Sequence, residues 1–130
     1  MTPQNRILVV EDELEFAQLL KDRLEMEGYR VSVVGDAYAA TQAVIKEDFD
    51  LMVLDLMMPA GGGFSVLERM RRFPGKSTIP VVILTGTTID DEVKEKAEKY
   101  HVHTILIKPV ESHKFVSIIQ RLLPLEGAHS

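Results

Sequence analysis

The chain has no cysteine and no tryptophan, and none of its apolar runs is long enough to cross a bilayer. Without thiols, disulfides and thiolate-held metals are excluded, although that absence names no compartment. The opening Met1-Thr2-Pro3-Gln4-Asn5-Arg6 lacks the basic and apolar regions of a secretory signal, so a cytoplasmic protein without membrane association is the expectation. Positive charge is also short. Fifteen Lys and Arg face 20 Asp and Glu, a net charge of -5, which argues against direct binding to nucleic-acid phosphates. Repeats, low-complexity tracts and charge blocks that would mark a linker are missing. What remains is 130 residues, 45% hydrophobic, the profile of a single domain with a core over about residues 5–124 and short loose ends at Met1 and at Glu126-Gly127-Ala128-His129-Ser130.

Two kinds of segment alternate along it. Arg6 to Val10, Leu51 to Asp55 and Pro80 to Leu84 are continuous apolar runs, the pattern of strands buried on both faces. Tyr29 to Val34 alternates and reads as an edge strand, and Thr104 to Ile107 is a fifth. Between them, helical spacing covers Leu14 to Met26 (Phe16, Ala17, Leu20, Leu24), Ala37 to Lys46 (Ala40, Ala43, Val44) and Phe64 to Arg72 (Phe64, Leu67, Met70). A charged helix opens at Ile89-Asp90-Asp91 and runs to Tyr100 with only Val93, Ala97 and Tyr100 apolar; the last carries the stripe Phe115, Val116, Ile118, Ile119, Leu122, Leu123 and stops at Pro124. Asp12 or Glu13 caps the first helix, Asp36 the second, and Gly28 follows the first. Pro59 stops the third strand and Gly61-Gly62-Gly63 forms a permissive loop. Five alternating units predict a parallel sheet with helices on both faces and right-handed crossovers.

In such a sheet ligands gather at the carboxyl ends of the strands. Those ends are Glu11 and Asp12, then Asp55, then Thr85 with Gly86, then Lys108. Three carboxylates meeting in one crevice repel, and one lysine does not neutralise them. A hard divalent cation on oxygen donors does, and Mg2+ suits a site of one or two carboxylates that shares its remaining positions with a phosphate. Lys108 supplies a positive charge, Thr85 a hydroxyl, and Gly86 room for close approach. Asp55 lies deepest in apolar sequence, which makes it the candidate nucleophile for an aspartyl-phosphate intermediate.

Together, Glu11-Asp12, Asp55-Leu56-Met57-Met58-Pro59, Gly63, Leu84-Thr85-Gly86 and Lys108-Pro109 resemble the response regulator receiver domain of bacterial-type two-component signalling, over nearly the whole chain. The resemblance implies a flavodoxin-like fold with sheet order 2-1-3-4-5. It implies phosphotransfer to Asp55 from a phosphohistidine on a histidine kinase or histidine phosphotransfer domain, and a downstream effector protein or domain. Mg2+ would be held by Glu11, Asp12, Asp55 and the backbone carbonyl of Met57. Thr85 and Lys108 would bind the phosphoryl oxygens, with slow hydrolysis afterwards and no other catalysis. Three features depart from the pattern: Ile105 stands where an aromatic usually precedes the lysine by three residues, His101-Val102 replaces a small Gly-Ala pair, and Val110 replaces an aromatic after Lys-Pro. All three fall near the surface of the fourth helix, fifth strand and fifth helix, through which the family transmits its signal, so the aromatic switch does not carry over.

Plainer readings stand beside these. Each strand-end acid alone also fits a solvated cap, Lys108 a solvated lysine and Thr85 a turn residue. Gly75-Lys76-Ser77 is no phosphate-binding loop, because Met70 stands where its first glycine belongs. His101 and His103 lack a third ligand. Two other functions remain open: a receiver-like adaptor working without phosphorylation, and a phosphohydrolase, which Met57 disfavours by standing where a general acid would be needed.

Overall fold

The computed structural model describes residues 5–58, 62–76, 78–86 and 88–125. The expectations for Pro59, Gly61, Ser77 and the two chain ends lie outside these residues. Among the described residues ten elements alternate: β1 (Arg6–Val10), α1 (Leu14–Met26), β2 (Arg30–Val34), α2 (Ala37–Lys46), β3 (Leu51–Leu54), α3 (Gly62–Met70), β4 (Val81–Thr85), α4 (Asp91–Lys99), β5 (Thr104–Ile107) and α5 (Ser112–Leu122). All pairings are parallel, in the order β2-β1-β3-β4-β5. The expected sheet order and the edge position of the second strand are both observed.

The pleat divides the core. Ile7, Val9, Leu51, Val53, Val82 and Leu84 face a cluster with Leu20 and Leu24 of α1 and Phe115 and Ile119 of α5. Their neighbours Leu8, Val10, Met52, Leu54, Val81 and Ile83 face the other way, onto Ala40 and Val44 of α2 and Val66, Leu67 and Met70 of α3. Strands buried on both sides need apolar residues at every position, which is why β1, β3 and β4 show no alternation. By contrast α4 buries only Ala97, so this helix is thinly anchored as its composition predicts.

Local chemistry sets several ends. Asp36 accepts a bond from Ala39 N (2.7 Å) and Asp90 one from Val93 N (2.9 Å), so both cap helices. Of the two residues expected to cap the first helix, Glu13 and not Asp12 takes the N-cap position, and it makes no side-chain capping bond. A glutamate is one methylene longer than the short side chains that fold back onto N2 or N3. Instead Glu13 N donates to Glu11 Oε2 at 3.1 Å.

The third helix begins at Gly62, two residues earlier than the pattern of large apolar residues suggests, and ends at Met70 instead of Arg72. Gly62 and Gly63 are therefore helical and not loop. At Gly63 an added Cβ would lie 2.7 Å from the Asp55 carbonyl oxygen and 3.0 Å from Leu54 Cγ, so glycine lets α3 start directly against the end of β3.

Two helices close with the same backbone motif. Gly28 N donates to Glu25 O and Tyr29 N to Leu24 O; His101 N donates to Glu98 O and Val102 N to Ala97 O. Gly28 takes the required positive φ of 107° at no steric cost, while His101 takes 58° with a side chain in place.

Candidate functional site

Asp55 follows β3 directly, and its N–H donates to Val10 O (3.0 Å), continuing the ladder one residue past the strand. Because β3 lies between β1 and β4, its end opens between theirs. Asp55 is 3% exposed and Glu11, after β1, is 2% exposed. Asp12 is exposed. One carboxylate oxygen of each lies within 4.8 Å of the others. That spread is close to the span of about 4 Å between opposite ligands of an ion bound at about 2.1 Å, so the donor set fits one hard cation.

Lys108 enters from the end of β5. Its ammonium lies 2.7 Å from Glu11 Oε1 and 3.5 Å from Asp55 Oδ2. Its backbone N–H donates to Thr85 O at 2.7 Å, which joins the ends of β4 and β5, and the Lys108-Pro109 peptide is cis. Thr85 is completely buried. A Cβ on Gly86 would meet nothing nearer than Lys108 Cδ at 4.0 Å, an ordinary van der Waals contact. Met57 N donates to Asp55 Oδ1 at 2.9 Å, folding the chain after β3 back over the acid.

Burial pushes the Glu11 carboxyl upward and nearby Asp55 adds to the shift; the bonds from Lys108 and from Glu13 N–H oppose it without cancelling it. For Lys108, burial works against the charged form, but Glu11 and Asp55 outweigh it and the ammonium is held above its usual value. Glu11 and Asp55 thus share one ammonium, with Asp12 a third acid beside them. The excess negative charge is what a divalent ion would neutralise.

Glu11, Asp12, Asp55 and Lys108 are thus brought together, with Thr85 tied to Lys108 through the backbone. For Met57 the visible role is its N–H on Asp55. One participant was not singled out from the sequence. The Phe16 ring of α1 lies under Lys108, with Nζ 4.4 Å from its centroid. The available signal was spacing, since Phe16 stands one helical turn after Asp12.

Comparisons with known proteins agree with this geometry. The family model for the response regulator receiver domain matches residues 7–120. The transcriptional regulatory protein CpxR of Escherichia coli is 34% identical over 123 residues, 92% of this chain and 49% of CpxR. The chain spans about half the length of the first curated relatives it matches. Among solved structures, the chemotaxis protein CheY4 of Vibrio cholerae is 26% identical with a TM-score of 0.84, covering 92% of this chain and 99% of that one. The receiver domain of a sensor histidine kinase from Pseudomonas aeruginosa, described with a magnesium ion coordinated in its active site cleft, has a TM-score of 0.81 at 24% identity; 92% of this chain and 97% of that one are covered.

Proposed function

This chain belongs to the response regulator receiver domains, and from that premise we propose that it is a phosphoacceptor switch whose acceptor is Asp55. The single observation that carries the reading is a buried Asp55 clustered with Glu11 and Asp12 and 3.5 Å from the ammonium of Lys108. The donor is a phosphohistidine on a histidine kinase or phosphotransfer domain. Oδ2, the oxygen facing Lys108, attacks phosphorus as the bond to the imidazole nitrogen breaks and its electron pair leaves with the imidazole. Lys108 shifts its hydrogen bonds from Glu11 toward the phosphoryl oxygens without giving up a proton, and the Thr85 hydroxyl holds another of those oxygens. Met57 N–H fixes the carboxylate through Oδ1.

Glu11, Asp12, Asp55 and the Met57 carbonyl would hold Mg2+, which when bound supplies positive charge against the phosphoryl oxygens. Water later hydrolyses the acyl phosphate, and there is no turnover of external substrates. The domain spans the chain, with its core over about residues 5–124, and its product is a changed surface for an effector protein or domain at α4, β5 and α5. The acyl phosphate carries about two negative charges where the carboxylate carried one, a net gain of about one beside a thinly anchored α4, which is the element placed to shift population.

The test is intact mass after incubation with an acyl phosphate such as acetyl phosphate. A gain of one phosphoryl group with Mg2+, lost on chelation and in Asp55→Asn, supports the proposal. Equal gain by that variant removes it. A second reading, an adaptor whose surface works without phosphorylation, draws on Ile105, an aliphatic side chain half-buried where the family's aromatic would be. Partner binding indifferent to Asp55→Asn and to Mg2+ would favour it.

A further inference from the structure

The ring of Phe16 offers a charged group something that no other neighbour of Lys108 does. A Cβ at Gly86 would make only ordinary contact with the lysine Cδ, at 4.0 Å, and the ring face of Phe16 lies 4.4 Å from Nζ. This is the shortest ammonium or guanidinium contact to a ring among the described residues, the others lying between 4.8 and 5.5 Å. Glu11 and Asp55 hold the ammonium by hydrogen bonding and charge, and both must surrender part of that hold when a phosphoryl group arrives. A ring face attracts a cation through its quadrupole and uses none of the three N–H donors. It therefore keeps the ammonium in place while its acceptors change.

Phe16 lies on α1, half-buried and packed against the core cluster that holds Leu20 and Phe115.

We infer that Phe16 is a positioning residue for phosphoryl transfer, holding the Lys108 ammonium over the mouth of the acid cluster while its hydrogen bonds pass from Glu11 to the incoming phosphoryl group. This rests on the reading of Asp55 as the acceptor. The bond changes are those of that reaction: with an acyl phosphate donor, the Asp55 oxygen-phosphorus bond forms, the donor's phosphorus-oxygen bond breaks, and the electron pair leaves on the donor carboxylate. Lys108 stays protonated throughout.

The alternative is that Phe16 only packs α1, and fluorination separates the two. Phenylalanine carrying one, two or three ring fluorines at position 16 keeps the apolar shape and progressively cancels the quadrupole. The rate of phosphoryl gain from acetyl phosphate, at fixed Mg2+, is expected to fall stepwise, by about three- to tenfold at three fluorines. Phe16→Trp should retain the rate and Phe16→Leu should lose it. A rate independent of fluorination overturns the inference, whatever Phe16→Leu does to stability. An independent readout is the NMR shift of the Lys108 ε-methylene, expected upfield from the ring current and restored to its ordinary position in Phe16→Leu. Should the unsubstituted protein take up no phosphoryl group, the acceptor reading fails; the methylene shift then decides the placement alone, an ordinary value overturning it and an upfield one supporting it.

Discussion

Gly63→Ala sets a helix-forming gain against a steric cost, and the geometry decides which is larger. Alanine is better than glycine inside a helix by about 1 kcal/mol. Against this, the new Cβ would stand 2.7 Å from the carbonyl oxygen of Asp55, about 0.7 Å short of an ordinary 3.4 Å contact. The obstructing atom is backbone in the central strand's extension, so no rotamer relieves it, and the start of α3 must move. Overpacking of this kind costs about 1–3 kcal/mol, here toward the upper end. A net loss of about 1–2 kcal/mol follows. The assay is urea unfolding followed by far-ultraviolet circular dichroism, since the chain has no tryptophan. Gly35→Ala is the control, because a Cβ there meets nothing nearer than the Glu11 carbonyl at 3.9 Å and no positive φ is involved. It should be neutral or stabilising. Equal stability of the two variants would refute the close approach of α3 to Asp55.

Thermal melts should show the metal site. At Mg2+ about 100-fold above its dissociation constant the native state gains about 2.7 kcal/mol, on the order of 10 °C for a chain of this size, and Asp12→Asn should lose most of the rise; an equal rise would mean nonspecific screening. Burial, with a smaller contribution from Glu27, holds the Tyr29 hydroxyl above its ordinary value of 10.0. Tyr29 therefore contributes stability that is full below pH 10 and lost as pH climbs through the raised value. Its hydroxyl donates to Leu123 O at 2.6 Å, so Tyr29→Phe should cost about 1–2 kcal/mol at neutral pH and flatten that alkaline decline. His101→Gly should stabilise by about 0.5–1 kcal/mol, because left-handed backbone is cheap only for glycine; destabilisation in a denaturant titration would contradict the φ of 58°.

The alternation of buried runs with helical stripes was enough to read the sheet and to bring four strand ends together, because parallel strands buried on two faces leave an unambiguous composition. Less legible were features that depend on contact between elements. A run of three glycines signals a loop locally, but Gly62 and Gly63 belong to α3, because the requirement at Gly63 comes from the Asp55 carbonyl, eight residues earlier. Asp12 beside a helix start looks like a cap, yet the acid cluster includes it and Glu13 takes the cap position. His101 in place of a small residue was visible as a departure, and only the backbone shows that it occupies a position suited to glycine. Phe16 reads as one more apolar residue on α1 until its ring is seen beneath Lys108. The net charge of -5 describes these 130 residues alone, and the expectation that nucleic acid is not bound finds no support beyond it.

The central claim is that Asp55 takes the phosphoryl group. Borohydride reduces an aspartyl phosphate to homoserine and leaves a free carboxylate untouched, so peptide mass mapping after phosphorylation and reduction identifies the acceptor directly. The account predicts homoserine at position 55 and nowhere else, present with Mg2+ and absent with chelator. Homoserine at position 12, or phosphoryl uptake with position 55 unchanged, would contradict it.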